Sequence, residues 1–361
     1  MKIYSYVIFF FMFLTLTSYS SIPETNTELF ENKNIVVLGG TGYLGRALAQ
    51  EVLKYNPKSV VIFSRDEVKH FNTTKLFGND VRVYNVIGDI RDFESVLKVT
   101  RDVDIVFHVA ALKRMDALEN NVEEAIKTNV LGSVNVFNAC IANDVKKVLF
   151  ISTDKACSPI NAYGACKFIS EKIFTNYDKS RISTKFMATR FGNILESTGS
   201  VIPIFTEKIK NGEVIPLTDE RMTRFIVNHA GAVALIFDAL RYGVGGEIFV
   251  RQLPALKVID LIEILKDKFN AQNPIKLIGL RPGEKLHEVL INSSEIARTI
   301  VFEDLFIIRP SIGNTGPDDE KPLYLQEGKL IDSLPMNELS SDLAVISKEN
   351  LATLFKELGL L

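Results

Sequence analysis

Five short apolar runs recur through the first half of the chain: NIVVL (34–38), SVVIF (59–63), VRVYNV (81–86), DIVFHVA (104–110) and KVLFIS (147–152). Such runs, apolar without alternation, are expected of strands buried on both faces. Segments of helical periodicity lie between them, RALAQEVLKY (46–55) and VEEAIKTNVLGSVNVFNACIAN (122–143) among them. Strands alternating with helices predict an α/β fold with a doubly wound parallel sheet. From Gly199 the pattern loosens. RMTRFIV (221–227), GGEIFVRQLPALKVIDLIEIL (245–265) and IKLIGLRPGEKLHEVL (275–290) read as a smaller mixed α/β domain, with some chain returning to the sheet. The expected organisation is a leader at 1–22, a first domain at 30–198, a second at 199–315 and a tail at 316–361. GNTGPDDEKP (313–322) serves as a linker, and SKENLATLFKEL (347–358) forms a helix in the tail.

Residues 3–23 carry no charge. Val7–Leu16 suits the apolar core of a signal peptide, Ser18-Tyr19-Ser20 offers small residues for cleavage, and the run is also long enough to span a bilayer once. The segment at 3–22 is therefore expected to be a cleaved signal or a membrane tether. Glu24, Glu28 and Glu31 follow it, a bias that places the domain outside.

The 361 residues are 47% apolar and 24% charged, enough for a substantial core. A net charge of −2, with no polybasic run, gives no pull towards nucleic acid. Cys140, Cys157 and Cys166 cannot form a paired framework and read as reduced core thiols. His108, His229 and His287 lack metal-ligand spacing.

Gly39, Gly42 and Gly45 fall directly between the first strand and the first helix. In that setting a pyrophosphate can approach bare backbone while helix N–H groups face its charge. Thr41, Tyr43 and Leu44 complete the loop. The second strand runs into Ser64, Arg65, Asp66 and, one turn later, Lys69. Cations here suit the 2′-phosphate of NADP, and the expectation is NADP in preference to NAD. Asp89 and Ile90 follow the third strand, where an adenine edge can be gripped. Ala110 and Ala111 are small enough for a cofactor to pass, Lys113 follows them, and Asn129 is either a cofactor contact or a polar packing residue.

The segment STDKACSPINAYGACK (152–167) carries the candidate chemistry. Tyr163 and Lys167 lie one helical turn apart on one face. A lysine beside a phenol favours the phenolate, and Thr153 adds a hydroxyl near the same point. Together they form a base able to take a proton from a sugar hydroxyl while hydride leaves the carbon.

With these residues in place, GGTGYLG, FSRDE, GDIRD, AALKRMDALENN, STDKACSPINAYGACK, RFGNILESTGSVIP, RMTRF and RPGEKLHEV resemble the extended short-chain dehydrogenase/reductase family. More narrowly, they resemble the short branch of the polysaccharide-biosynthesis dehydratases, from about Leu29 to Ile312. The resemblance implies an NADP-dependent hydro-lyase acting on UDP-N-acetylglucosamine, with inversion at carbon 5, at the first step of pseudaminic acid synthesis for a surface or flagellar glycan. It implies that Tyr163 begins oxidation at carbon 4. The Asp154–Lys155 couple then removes water across carbons 5 and 6, Asp154 as acid and Lys155 as base. That role requires Lys155 to be neutral, and burial near Lys167 is expected to lower its pKa. Tyr163 and Lys167 are expected to touch both cofactor and substrate chemistry. Candidate UDP-sugar contacts are Lys113, Asn193, Arg221, Arg224, Arg281 and Glu284, with a structural ion pair as the alternative for either Arg221 or Arg224. The resemblance implies a homo-oligomer, with a hexamer as the expected form.

Two rivals remain at this level: a UDP-sugar 4-epimerase of the same fold, and a non-catalytic, membrane-tethered NADP-binding protein. The leader reads as export while the chemistry is of cytoplasmic type. A single anchor with the domain facing the cytosol reconciles the two.

Overall fold

The structure is a computed structural model that describes residues 26–195, 201–311, 322–331 and 337–361. The leader at 3–22, the boundary at 198/199 and most of the 313–322 linker lie outside the described residues. No helix among the described residues is long and apolar enough to cross a membrane.

All five apolar runs form strands: β1 (Asn34–Leu38), β2 (Ser59–Ser64), β3 (Val83–Ile87), β4 (Ile105–His108) and β5 (Lys147–Ile151). A sixth, β6 (Lys185–Arg190), follows. They pair in parallel in the order β3-β2-β1-β4-β5-β6. This is the expected doubly wound α/β sheet. Ile35–Leu38 and Val148–Ile151 are buried throughout, as their unbroken apolar character requires.

The sheet does not stop at β6. Strand Ile248–Arg251 pairs parallel to β6, Leu305–Ile308 pairs antiparallel to it, and Thr299–Phe302 and Lys329–Leu330 extend the edge to ten strands. Chain from the second half thus completes the first-half sheet. Stacked aromatics such as Phe150 and Phe174, with ring centroids 5.0 Å apart, fill the core beneath it. Each fully buried phenylalanine contributes roughly 1.5–3 kcal/mol relative to exposure.

A second apolar cluster, including Ile202, Phe205, Leu261, Leu265, Leu351 and Phe355, gathers the remaining small elements. These include a three-stranded sheet of Asn193–Ile194, Thr223–Val227 and Ala255–Lys257. The tail contributes directly: Leu339–Ser340 pairs with Val289–Ile291, and helix Lys348–Glu357 lies on helix Val258–Lys268. Strand order reverses between β1 and β4, and the crevice at their carboxyl ends is where open α/β sheets bind ligands.

Candidate active site

The glycine loop leaves β1 at this crevice. Gly39 has φ +83°, and a Cβ there would lie 2.7 Å from the backbone of Ala110. A Cβ on Gly45 would lie 2.6 Å from the Gly39 carbonyl oxygen. Only glycine permits both the turn and the close approach of loop to helix. Gly42 precedes helix Tyr43–Leu53, and no side chain caps that helix. The partial positive charge of a helix N-terminus therefore lies at the crevice, which suits an anionic group. The Thr41 hydroxyl lies 2.9 Å from that of Ser64, tying the loop to the end of β2. Leu44 is buried, and the Tyr43 ring meets His229 edge-on.

At the end of β2, Arg65 is half exposed and 3.5 Å from Asp89, which also takes a tighter contact of 2.6 Å from Arg91. Lys69 pairs with Asp66 at 2.9 Å in solvent, while Asp66 caps its own helix through the Lys69 amide. Ile90 is buried, packed against Gly132. Asn129 braces the neighbouring segment. Its amide accepts from the Leu112 N–H and donates to the Leu112 carbonyl, both at 2.8 Å. It thereby fixes the segment holding Ala110, Ala111 and Lys113, of which Lys113 is exposed. Asn129 lies in a π-helical stretch, Ile126–Leu131, and its free carbonyl oxygen accepts from the hydroxyls of Ser133 (2.6 Å) and Ser170 (2.7 Å).

The catalytic candidates follow β5 in a short 3₁₀ turn, Asp154–Ala156, facing helix Ala162–Thr175. Asn161 caps that helix through the Gly164 amide, and its Nδ2 donates to the Gly283 carbonyl, so one side chain joins this loop to the one at Gly283. Gly164 has no room for a Cβ, which would sit 2.3 Å from the Lys155 carbonyl oxygen.

Asp154 is wholly buried. Its Oδ1 accepts from the Thr153 hydroxyl (2.7 Å) and from Lys155 Nζ (2.9 Å), while Oδ2 has no hydrogen-bond partner. The Lys155 ammonium also donates to Asn193 Oδ1 at 3.1 Å and lies 3.5 Å from Glu288 Oε1. Burial alone would depress the Lys155 pKa, but the carboxylates of Asp154 and Glu288 outweigh it and hold the group above the ordinary lysine value. This corrects the sequence expectation of a lowered Lys155, because Glu288 was not foreseen and Lys167 is not the charge that faces it.

Tyr163 is buried, which pushes its phenol up to about 12 against the opposing pull of the Lys155 charge and a hydrogen bond with Thr153. The Lys167 Nζ donates to the Ile151 carbonyl at 2.5 Å and lies 4.1 Å from the centre of the Phe150 ring. Burial brings the Lys167 ammonium down to about 7. The Lys155 charge acts on the Tyr163 phenol.

The UDP-sugar candidates separate into two groups. Asn193, Arg224 and Glu284 cluster around the couple. Arg224 is buried, donates to the carbonyls of Thr223, Lys285 and Leu286, and lies 3.6 Å from Glu284 and 3.9 Å from Glu288. Arg221 and Arg281 are exposed, and Arg221 pairs with Asp219 at 2.8 Å. The residues that sequence reasoning passed over are Glu288 and Lys285, 3.7 Å apart. Both stand in the RPGEKLHEV motif, but nothing local marks a residue whose partner is Lys155. The three cysteines are buried and free.

A family model described as polysaccharide biosynthesis protein matches residues 35–310. Over 288 residues, the chain is 41% identical to a UDP-N-acetylglucosamine 4,6-dehydratase (inverting) of Campylobacter jejuni, covering 79% of this chain and 85% of the relative. It is 40% identical over 307 residues to a UDP-glucose 4-epimerase of Rickettsia conorii, covering 83% of this chain and 89% of that one. The solved structure of Pen from Bacillus thuringiensis superimposes with a TM-score of 0.84 at 37% identity, covering 92% of this chain and 99% of the other. The matched span takes in the glycine loop, the Thr153–Lys167 segment and Glu288, so the chain belongs to the polysaccharide biosynthesis protein family.

Proposed function

We propose that the protein removes water from UDP-N-acetylglucosamine across carbons 5 and 6 after oxidation at carbon 4, with NADP as a cofactor that is not consumed and with inversion at carbon 5. The observation that carries this reading is the buried Asp154–Lys155 couple, set beside Tyr163 at the mouth of the glycine-lined crevice.

The crevice fits a nicotinamide dinucleotide. Gly39 and Gly45 leave space that a Cβ would fill, and the uncapped helix after Gly42 faces it. When bound, the cofactor accepts a hydride from the sugar and later returns it. Arg65, half exposed at the end of β2, is the group suited to a 2′-phosphate.

The chain's own groups move the protons. Tyr163 takes the proton of the 4-hydroxyl, and the Lys155 charge beside it stabilises the phenolate that does so. The resulting 4-ketone acidifies the carbon 5 proton. Elimination then needs an amine that can accept this proton and a carboxylic acid that can give one to the 6-hydroxyl. Without substrate the couple is an ammonium and a carboxylate, joined by a 2.9 Å hydrogen bond. Moving one proton along that bond produces both required forms at once. As Lys155 takes the carbon 5 proton and Asp154 protonates the leaving hydroxyl, the couple returns to the ion pair. The net charge of the couple stays constant, which keeps the cost of burial low at each stage. Inversion follows if the proton returns to the opposite face of carbon 5.

A 4-epimerase needs the oxidation but no elimination. Incubation with UDP-N-acetylglucosamine and mass spectrometry of the product separates the two: dehydration removes the mass of one water, and epimerisation leaves the mass unchanged.

A further inference from the structure

Glu288 ends the RPGEKLHE segment and opens strand Val289–Ile291. Its backbone is pinned on both sides by Ser341, whose hydroxyl accepts from the Glu288 N–H at 2.9 Å and whose N–H donates to the Glu288 carbonyl at 2.8 Å. The side chain is buried. Oε1 lies 3.5 Å from Lys155 Nζ and 3.9 Å from Arg224 Nε, while Oε2 has no hydrogen-bond partner and lies 3.7 Å from Lys285 Nζ. A carboxylate buried among cations with one oxygen unsatisfied is costly to keep for stability alone. The charged and titratable groups around the Lys155–Glu288 pair are Asp154, Tyr163, Arg224, Glu284, Lys285 and His287.

We propose that Glu288 is a positioning residue for the elimination, the fixed counter-charge that holds the Lys155 amine in place and stabilises the ammonium formed when it takes the carbon 5 proton. The inference rests on the assignment of Lys155 as base. In the step, the C5–H bond breaks and an N–H bond forms on Lys155, the released electron pair forms the C5–C6 double bond, and the C6–O bond breaks as the Asp154 O–H proton passes to the oxygen, releasing water. Asp154 changes charge during this exchange and cannot serve as a constant partner. Glu288 takes no proton and gives none in the step. Because it comes from the second domain, it also ties the strength of the base to the seating of the segment that carries Arg281 and Glu284.

The test uses the full-length enzyme with UDP-N-acetylglucosamine in heavy water, reading deuterium entering carbon 5 and the pH dependence of kcat. In Glu288→Gln the counter-charge is gone, so Lys155 loses its proton more easily. The alkaline limb of the profile, where the couple loses its single proton, should move to lower pH by about one unit or more, the usual effect of an opposite charge at this range. The plateau rate of carbon 5 exchange should fall about tenfold or more as the base weakens. KM should change less than about twofold, since Glu288 is not assigned a substrate contact. Glu288→Asp keeps the charge at a greater distance and should show a smaller shift in the same direction, which preserves the test if the glutamine variant does not fold. An alkaline limb unmoved in either folded variant overturns the inference. Lys155→Met separates the two levels: retained carbon 5 exchange in that variant means the base assignment itself is wrong. Lost exchange in Lys155→Met, with an unmoved limb in the Glu288 variants, removes only the role of Glu288.

Discussion

Replacing Asp154 by Asn should split the elimination into its two halves. Asp154 is wholly buried, and its Oδ1 accepts two hydrogen bonds of 2.7 and 2.9 Å. Asparagine preserves the shape and that acceptor but cannot pass a proton to a leaving hydroxyl. Loss of a positioned general acid costs about 10²–10⁴-fold, or about 3–5 kcal/mol of barrier. The same change removes the nearer of the two carboxylates that hold Lys155 protonated, leaving Glu288 at 3.5 Å. Burial then weighs more heavily, the Lys155 pKa falls, and the amine becomes easier to obtain in neutral form. The base should therefore survive while the acid is lost. With UDP-N-acetylglucosamine in heavy water, proton NMR and mass spectrometry should show deuterium at carbon 5 with dehydration reduced by two to four orders of magnitude. Dehydration near the wild-type rate would refute the assignment of the acid. Loss of carbon 5 exchange, with carbon 4 oxidation intact, would place the base on Asp154 instead.

Other perturbations address the fold and the cofactor. Arg190 is fully buried, with Glu171 at 2.7 Å and Glu295 at 2.9 Å, so Arg190→Met leaves two buried carboxylates unpaired and should cost about 3–5 kcal/mol in chemical denaturation. Arg65→Ala should weaken NADP binding about tenfold or more while leaving NAD binding nearly unchanged, measured by calorimetry. Lys167 is held at about 7, below its ordinary unfolded value of about 10.4, so in the free protein it destabilises the fold, fully below pH 7 and progressively less up to about pH 10.4. Lys167→Met should therefore raise thermal stability most at pH 6 and least near pH 10, read by thermal unfolding across that range.

Much of this was legible in the chain because the signals were local. Strands buried on both faces announce themselves as unbroken apolar runs, and the glycine spacing marks a turn where a Cβ on Gly39 or Gly45 has no room. Thr153, Asp154, Lys155 and Tyr163 came together because 3₁₀ turn and helix lie within a few residues of each other. What the chain did not disclose is carried by distant pairings. Strands Ile248–Arg251 and Leu305–Ile308 rejoin the sheet without any marker of their register. The Lys155 shift runs opposite to expectation because the charges of Asp154 and Glu288 outweigh burial, and Glu288 is far away in the chain. The Tyr163–Lys167 spacing marks a shared helix face but not the Ile151 carbonyl that the Lys167 ammonium meets.

The central claim is that hydride leaves carbon 4 and returns to carbon 6 of the same sugar. Turnover of UDP-N-acetylglucosamine carrying deuterium at carbon 4 tests it directly. The account predicts that the label reappears in the new 6-methyl group of a dehydrated product. Recovery of the label at carbon 4 of a product of unchanged mass would contradict it.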